Sequence, residues 1–334
     1  MKILIYCPFN FDCSSYKNQF LGGIETLNRD LSINLAKKKG YKVYLATLCK
    51  KIQTHKNFVN LPISLLNKKD EYQNFDFIIS SNDPTIFNKF KKSKKILWMH
   101  NKLTIEKALR KKKLFSILRN EISTVFVSKY LKNITTDLFF FKKKNIIPNF
   151  LSNIFNQNKL IYKRKPIFVW SVQRQKGLNE TINMWIKYIN PINKFAKFYI
   201  FGIDKTDKNF SKSYLLSNNI HFFGKVSKKK LINVYNQSTA MICLGYDETF
   251  CLNALEANSC GLTVLSFGKT ALDELIINNF NGFRIKTYQE LAEKIHFLIN
   301  SKNKEKTKLI KNSIKFSSKF TLNKILPYWL KLLK

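Results

Sequence analysis

Short apolar runs alternate with amphipathic stretches along the whole chain, which is the pattern of parallel sheets covered by helices. In the first half, residues 2–6, 42–47, 75–80, 96–100 and 124–128 read as short apolar strands, and residues 24–38 read as a helix after the first of them. The periodicity breaks across residues 151–165, an Asn- and Lys-rich stretch before Pro166 that reads as a linker. The alternation then restarts with a strand at 167–171, a helix at 178–189, and strands near 197–201, 221–223, 240–244 and 263–266. Residues 321–333, with Trp329 and several Leu, form an amphipathic stretch expected to dock as a helix. The pattern predicts an α/β protein with two doubly wound parallel sheets. Residues 1–150 are the first domain, 151–165 the linker, 166–318 the second domain and 319–334 a final helix docking across the domains.

A length of 334 residues agrees with two cores of roughly 150 residues each. Hydrophobic residues at 45% and charged residues at 24% belong to a folded chain and exclude a disordered one. The net charge of +38 points to nucleic acid or an anionic membrane surface. A compositional cause competes with it: Lys, Asn, Ile and Phe abound while Gly and Pro number only 10 and 7, the bias that A/T-rich codons produce. Basic runs at 89–95, 107–113, 142–144 and 228–230 read first as solvated faces; the three in the first half also fit contact with a membrane surface. Cys7, Cys13, Cys49, Cys243, Cys251 and Cys260 are scattered without a CxxC pair, so buried reduced thiols are expected and no metal site. The opening MKILIYCPF is too short for a signal peptide, and no apolar run reaches about 18 residues. A cytoplasmic location, with possible contact to a membrane, is expected.

The sharpest chemical signal is DETFCLNALEANSCG at 247–261, lying between the apolar runs AMICL and TVLSF. A strand that turns into a helix start aims the N–H groups of Thr249, Phe250, Cys251 and Leu252 at an anion such as a pyrophosphate. Glu248 stands before the turn, where ligands of open parallel sheets bind. Glu256, expected about two turns into the helix, can accept two hydrogen bonds from a vicinal diol. Taken alone, the pair also fits a helix-start acid and a solvated helix acid.

This stretch resembles the Glu-x(7)-Glu motif of the family-four glycosyltransferases, also called glycosyl transferases group 1. The resemblance implies a GT-B fold, two Rossmann-like domains facing a cleft, and transfer of a sugar from a nucleotide-sugar donor. It implies that Glu248 contacts the transferred sugar and that Glu256 holds the ribose. Gly22 and Gly23, in LGGIET after the first strand, resemble the glycine-rich loop facing the donor phosphates and the acceptor. His100, ending ILWMH, matches a His near the donor sugar. In SVQRQKG at 171–177, Lys176 before Gly177 matches the Lys of a basic pair on the diphosphate. The Arg usual five positions earlier is Ser171 here, and Arg174 lies only two before the Lys.

Pro148, Asn149, Gly202, Gly224, Glu274 and Gly282 also fall in the family's order. The implied catalytic residues are Glu248, His100 and Lys176; the remaining residues of these motifs bind the donor. The implied reaction is retaining and metal-independent, with no cofactor, a UDP- or GDP-sugar as substrate, and a glycan or lipid-linked acceptor. No Asp-x-Asp motif sits on a matching loop.

Three rivals remain. A dinucleotide oxidoreductase lacks its G-x-G-x-x-G. A nucleic-acid-binding protein would explain the charge, yet no recognition module is visible. A catalytically silent GT-B subunit would explain the missing Arg.

Overall fold

The computed structural model describes residues 1–11, 13, 21–67, 72–157, 162–203 and 210–334. The chain divides into two units, one of Met1–Ser152 with Leu322–Lys334 and one of Asn153–Thr321.

The first unit holds β1 (Lys2–Tyr6), β2 (Lys42–Thr47), β3 (Gln53–His55), β4 (Phe58–Pro62), β5 (Phe77–Ser81), β6 (Lys94–Met99), β7 (Ile122–Phe126) and β8 (Lys143–Ile146). They form one sheet in the order β3-β4-β2-β1-β5-β6-β7-β8. All neighbours run parallel except β3 and β4, which form an antiparallel hairpin at one edge. The sheet is thus doubly wound with one antiparallel edge strand. Ile3 lies opposite both Val43 and Phe77, and Ile3–Cys7 are buried, as expected of a central strand covered on both faces. Connections carry α1 (Gly23–Ala36), α2 (Ile105–Arg110), α3 (Leu114–Leu118) and α4 (Lys129–Asn133).

The second unit holds β9 (Ile167–Trp170), β10 (Lys197–Ile200), β11 (Ile220–Phe222), β12 (Ala240–Ile242), β13 (Thr263–Ser266) and β14 (Gly282–Arg284). Their order is β11-β10-β9-β12-β13-β14, with every pair parallel. Its helices are α5 (Leu178–Met184), α6 (Lys212–Ser217), α7 (Lys228–Gln237), α8 (Leu252–Ser259), α9 (Leu272–Leu275), α10 (Tyr288–Asn300) and α11 (Asn303–Ser317). The helix expected over 178–189 changes character midway: α5 gives way to a π-helical turn at Trp185–Ile189. There the buried Trp185 ring stacks on Phe198 at 5.2 Å, and its Nε1 donates to the Asn218 carbonyl at 3.0 Å.

Within the stretch read as a linker, Asn153–Gln157 forms a 3-10 turn, and residues 158–161 lie outside the described residues. Arg164 is tied to the second unit, donating to the carbonyls of Tyr235 at 2.7 Å and Cys260 at 2.8 Å. The last helix, α12 (Leu322–Leu332), belongs to the first unit, where Trp329 is fully buried with its ring 4.7 Å from that of Trp98. Among the described residues no helix is long and apolar enough to cross a membrane.

Candidate active site

Strand order reverses in the second unit between β9 and β12: the chain leaves β9 toward β10 and β11 on one side, and β12 leads to β13 and β14 on the other. Loops leaving the C-terminal ends of two such strands diverge and open a crevice, where ligands of doubly wound sheets bind. The loop after β9 is 171–177 and the loop after β12 is 243–251. These are the two segments whose motifs the sequence singles out.

On the β9 side, Ser171 shares a 2.6 Å hydrogen bond with the Tyr235 hydroxyl, and its carbonyl accepts from Asn253 Nδ2. The position where a cation is usual therefore holds a hydroxyl tied to α7 and a carbonyl tied to α8. Arg174 and Lys176 occupy a 3-10 turn, with Arg174 Nη1 donating to Asn179 Oδ1 at 3.3 Å. Gly177 ends the turn at φ +102°, and a Cβ there would lie 2.7 Å from Leu244 Cδ1 and 2.8 Å from Tyr246 Cε2. Left-handed strain of roughly 1–2 kcal/mol and overpacking of roughly 1–3 kcal/mol predict that Gly177→Ala destabilises the second unit by about 3 kcal/mol. Chemical denaturation measures this; an unchanged midpoint would show that the loop adapts.

On the β12 side, Glu248 lies four residues before α8 and is largely shielded from water. Lys176 Nζ stands 3.9 Å from its Oε1, so the two motif loops meet in an ion pair. Burial raises the Glu248 pKa, Lys176 pulls it back and Asp247 adds to the rise. Thr249 is half-buried and Phe250 buried, its ring 6.3 Å from Phe320. Cys251 caps α8 at φ +64°, a left-handed conformation that costs a side-chain-bearing residue about 1–2 kcal/mol. Leu252 is the first helical residue, and the N–H groups of Leu252 and Asn253 have no acceptor within the helix, while Ala254 N–H donates to the Cys251 carbonyl at 3.1 Å.

All six cysteines are free and buried, yet Cys243 and Cys251 are not scattered in space: their Sγ atoms are 3.5 Å apart. With the Glu248 carboxylate they form a group whose ligand atoms lie within 4.8 Å of one another. Cys251 could hold a metal only as a thiolate. The hydrogen bond with Cys243, then burial, raises Cys251 well above the usual thiol range.

Glu256 is the fifth residue of α8, little more than one turn in and not two, and it is 1% exposed. Both its oxygens accept from Lys228 Nζ at 2.6 Å. A solvated helix acid is thereby ruled out, and Lys228 leaves the basic run read as a solvated face. The signal that could have found Lys228 was its position: Ser227 caps α7, so residues 228–230 place three Lys in a first turn where the helix dipole disfavours cations. Tyr235 and Asn253 were also missed. Burial raises the Tyr235 pKa well above its usual value and nearby Glu256 adds to it, so Tyr235 stays a hydrogen-bonding phenol.

The other motif residues are in the first unit, whose strand order reverses between β1 and β5. Gly22 caps α1 at φ −67° and Gly23 is its first residue, so neither glycine conformation is called for at Gly22. A Cβ on Gly22 would instead meet the end of the Glu25 side chain, which would have to move aside. His100 follows β6 directly, its backbone N–H donating to Asn82 Oδ1 at 2.7 Å. Its ring is buried 4.5 Å from that of Trp98, and burial lowers its pKa to about 3. His100 is therefore a neutral imidazole at physiological pH, able to exchange hydrogen bonds but not to act as a cation.

Residues 153–316 match the family model of glycosyl transferases group 1. An uncharacterized glycosyltransferase of Methanocaldococcus jannaschii is 27% identical over 210 residues, 61% of this chain and 57% of that protein. The match thus spans little more than half of that curated relative. Among solved structures, sucrose-phosphate synthase from Thermosynechococcus elongatus aligns with a TM-score of 0.73 at 17% identity, covering 99% of this chain and 98% of that one. HepE of Anabaena, solved in complex with UDP and glucose, aligns at 0.72 and 14% identity over 100% and 99%. These likenesses place the two Rossmann-like sheets in the GT-B fold class.

Proposed function

We propose, from the membership of residues 153–316 in the glycosyl transferases group 1 family, that this protein transfers a sugar from a nucleotide-sugar donor to a glycan or lipid-linked acceptor. The reading includes retention of anomeric configuration and no requirement for a metal ion. One observation carries it: two carboxylates, the partly buried Glu248 and the buried Glu256, each face a lysine, Lys176 and Lys228, beside the strand-order reversal of the second unit.

Sugar transfer through an oxocarbenium-like state needs negative charge on the departing diphosphate stabilised and the sugar held in place. Lys176, Arg174 and the N–H groups of residues 249–252 are assigned the diphosphate. Glu248 is assigned the sugar and Glu256 the ribose hydroxyls, with Lys228 paired to Glu256 in its buried position. Ser171 is assigned a supporting role through Tyr235 and Asn253 in place of a second cation. The first unit is assigned the acceptor; Gly22 and Gly23 are assigned to donor binding, and the neutral His100 to a catalytic role beside the donor sugar. The nucleotide-sugar is substrate rather than cofactor.

A thermal-shift screen against UDP-, GDP- and ADP-sugars tests this, because a ligand that binds only the folded state stabilises it by about 2.7 kcal/mol at 100 times its Kd. One nucleotide class should raise the melting temperature by several degrees, and transfer with that donor should survive chelation of divalent ions. A flat response to every donor would contradict the reading. The hydroxyl at Ser171, where a cation is usual, favours a second reading, a catalytically silent binding subunit. Donor turnover would exclude it.

A further inference from the structure

Five large apolar side chains of the first unit face solvent within one short stretch: Leu109, Phe115, Leu118, Leu138 and Phe140. The elements carrying them are contiguous, since α2 packs on α3, and α3 on the 3-10 turn Asp137–Phe139 that Phe140 ends. Phe140 is the most exposed at 78%, and it sits at φ +47°. A bulky residue in left-handed backbone is costly, and a ring left in water recovers nothing for that cost within this chain.

Cations surround these side chains. Between Lys102 and Arg119 the sequence has seven basic residues (Lys102, Lys107, Arg110, Lys111, Lys112, Lys113, Arg119) against one acid, Glu106. Lys107 registers the crowding: burial lowers its pKa first, then Lys111, Arg110, Lys113 and Lys102 in turn. The Arg119 guanidinium stands 5.9 Å from the Phe115 ring centre, so charge and apolar surface adjoin. Lys113 is partly answered by Asp83 at 3.5 Å.

We propose that α2, α3 and the turn at residues 137–140 form a docking surface for a lipid bilayer with anionic head groups. Phe115, Phe140 and the three leucines enter the acyl boundary while the Lys and Arg side chains meet the head groups. Charge complementarity selects this occupant. A second copy of the chain would bring two like-charged patches together, and aliphatic Leu109, Leu118 and Leu138 have no stacking use on a nucleic acid. The inference stands apart from sugar transfer and goes beyond it.

Co-sedimentation of the full chain with phosphatidylcholine vesicles, with and without phosphatidylglycerol, tests it. Three forms are compared: the unaltered protein, a Phe115→Ser/Leu138→Ser/Phe140→Ser variant and a Lys107→Glu/Arg110→Glu/Lys111→Glu variant. All altered positions but Lys107 are largely in solvent, and thermal melts confirm folding. Unaltered protein should pellet with the anionic vesicles only, and each variant should partition at least tenfold less. The apolar variant decides the matter, because a chain of +38 can adhere to any anionic surface through charge alone. Equal pelleting of that variant overturns the proposal, as does unaltered protein left in the supernatant. Preference for RNA over vesicles that the serine substitutions leave unchanged also overturns it. So does concentration-dependent self-association, lost in the serine variant, without vesicle binding. Donor-induced thermal shifts, measured in parallel, keep this outcome separate from that of the donor site.

Discussion

Glu256→Ala should weaken nucleotide-sugar binding on the order of 100-fold and destabilise the second unit by about 3 kcal/mol. Both effects trace to one geometry: a carboxylate at 1% exposure accepting from Lys228 through both oxygens at 2.6 Å. Removing one member of a buried pair strands the other, and the penalty falls at the low end of its range because the Lys228 side chain keeps 27% of its exposure. At 2–4 °C per kcal/mol, the melting temperature falls by roughly 6 to 12 °C. Calorimetric titration and thermal melts read the two effects. A Glu256→Leu/Lys228→Met double variant separates them, since replacing both charges should recover much of the stability and none of the binding. Donor affinity unchanged in Glu256→Ala would remove this residue from the site.

The second large effect is on turnover. Glu248→Gln should lower transfer by on the order of 10²–10³ while changing donor affinity less, because its carboxylate is assigned to the reacting sugar and not to the nucleotide. The pH dependence carries a further signature. Burial opposes ionisation of Glu248 more than Lys176 supports it, so its pKa lies above the ordinary glutamate value. The acidic limb of the wild-type rate profile should be displaced upward accordingly and should vanish in Glu248→Gln. The sign for stability is the reverse of a salt-bridged acid. Between the ordinary and the raised pKa the folded state binds more protons than the unfolded one, so stability falls as pH rises through that window. Glu248→Gln should flatten this fall, which melts across the acidic range would record; a steeper fall would contradict the account.

The parts of the fold that the sequence made legible are those where burial writes itself into composition. KILIY at 2–6, KVYLAT at 42–47 and TVLS at 263–266 are strands with those bounds, because a strand covered on both faces reads as a near-continuous apolar run. Sheet edges escape this rule. β8 reads KKNI and half faces solvent, β3 reads QTH, and β14 is the three residues GFR; none has an apolar signature to find. The π-helical turn at Trp185 hid for a different reason, since its apolar spacing imitates an ordinary helix over so short a span.

The site was legible in the same uneven way. Glu248, Glu256, Lys176 and Gly177 announce themselves through short-range spacing along the chain. Their partners are set by which strands are neighbours. Lys228 reaches Glu256 across 28 positions and Tyr235 reaches Ser171 across 64, distances that no local pattern encodes. The thiols of Cys243 and Cys251 meet because a strand end and a helix cap flank one loop, although their spacing matches no metal motif. The absent Arg shows a limit of motif reading: a one-residue departure says what is missing, and only the structure shows Ser171 tied into α7 and α8 instead.

The account rests on the claim that the loops after β9 and β12 receive an activated sugar, and a structure of the full chain with its nucleotide-sugar bound tests it most directly. The account predicts ribose hydroxyls within hydrogen-bonding distance of Glu256, the diphosphate on Lys176 and the amides of 249–252, and the sugar beside Glu248. A nucleotide seated elsewhere, with the Glu248–Lys176 and Glu256–Lys228 pairs untouched, would contradict it.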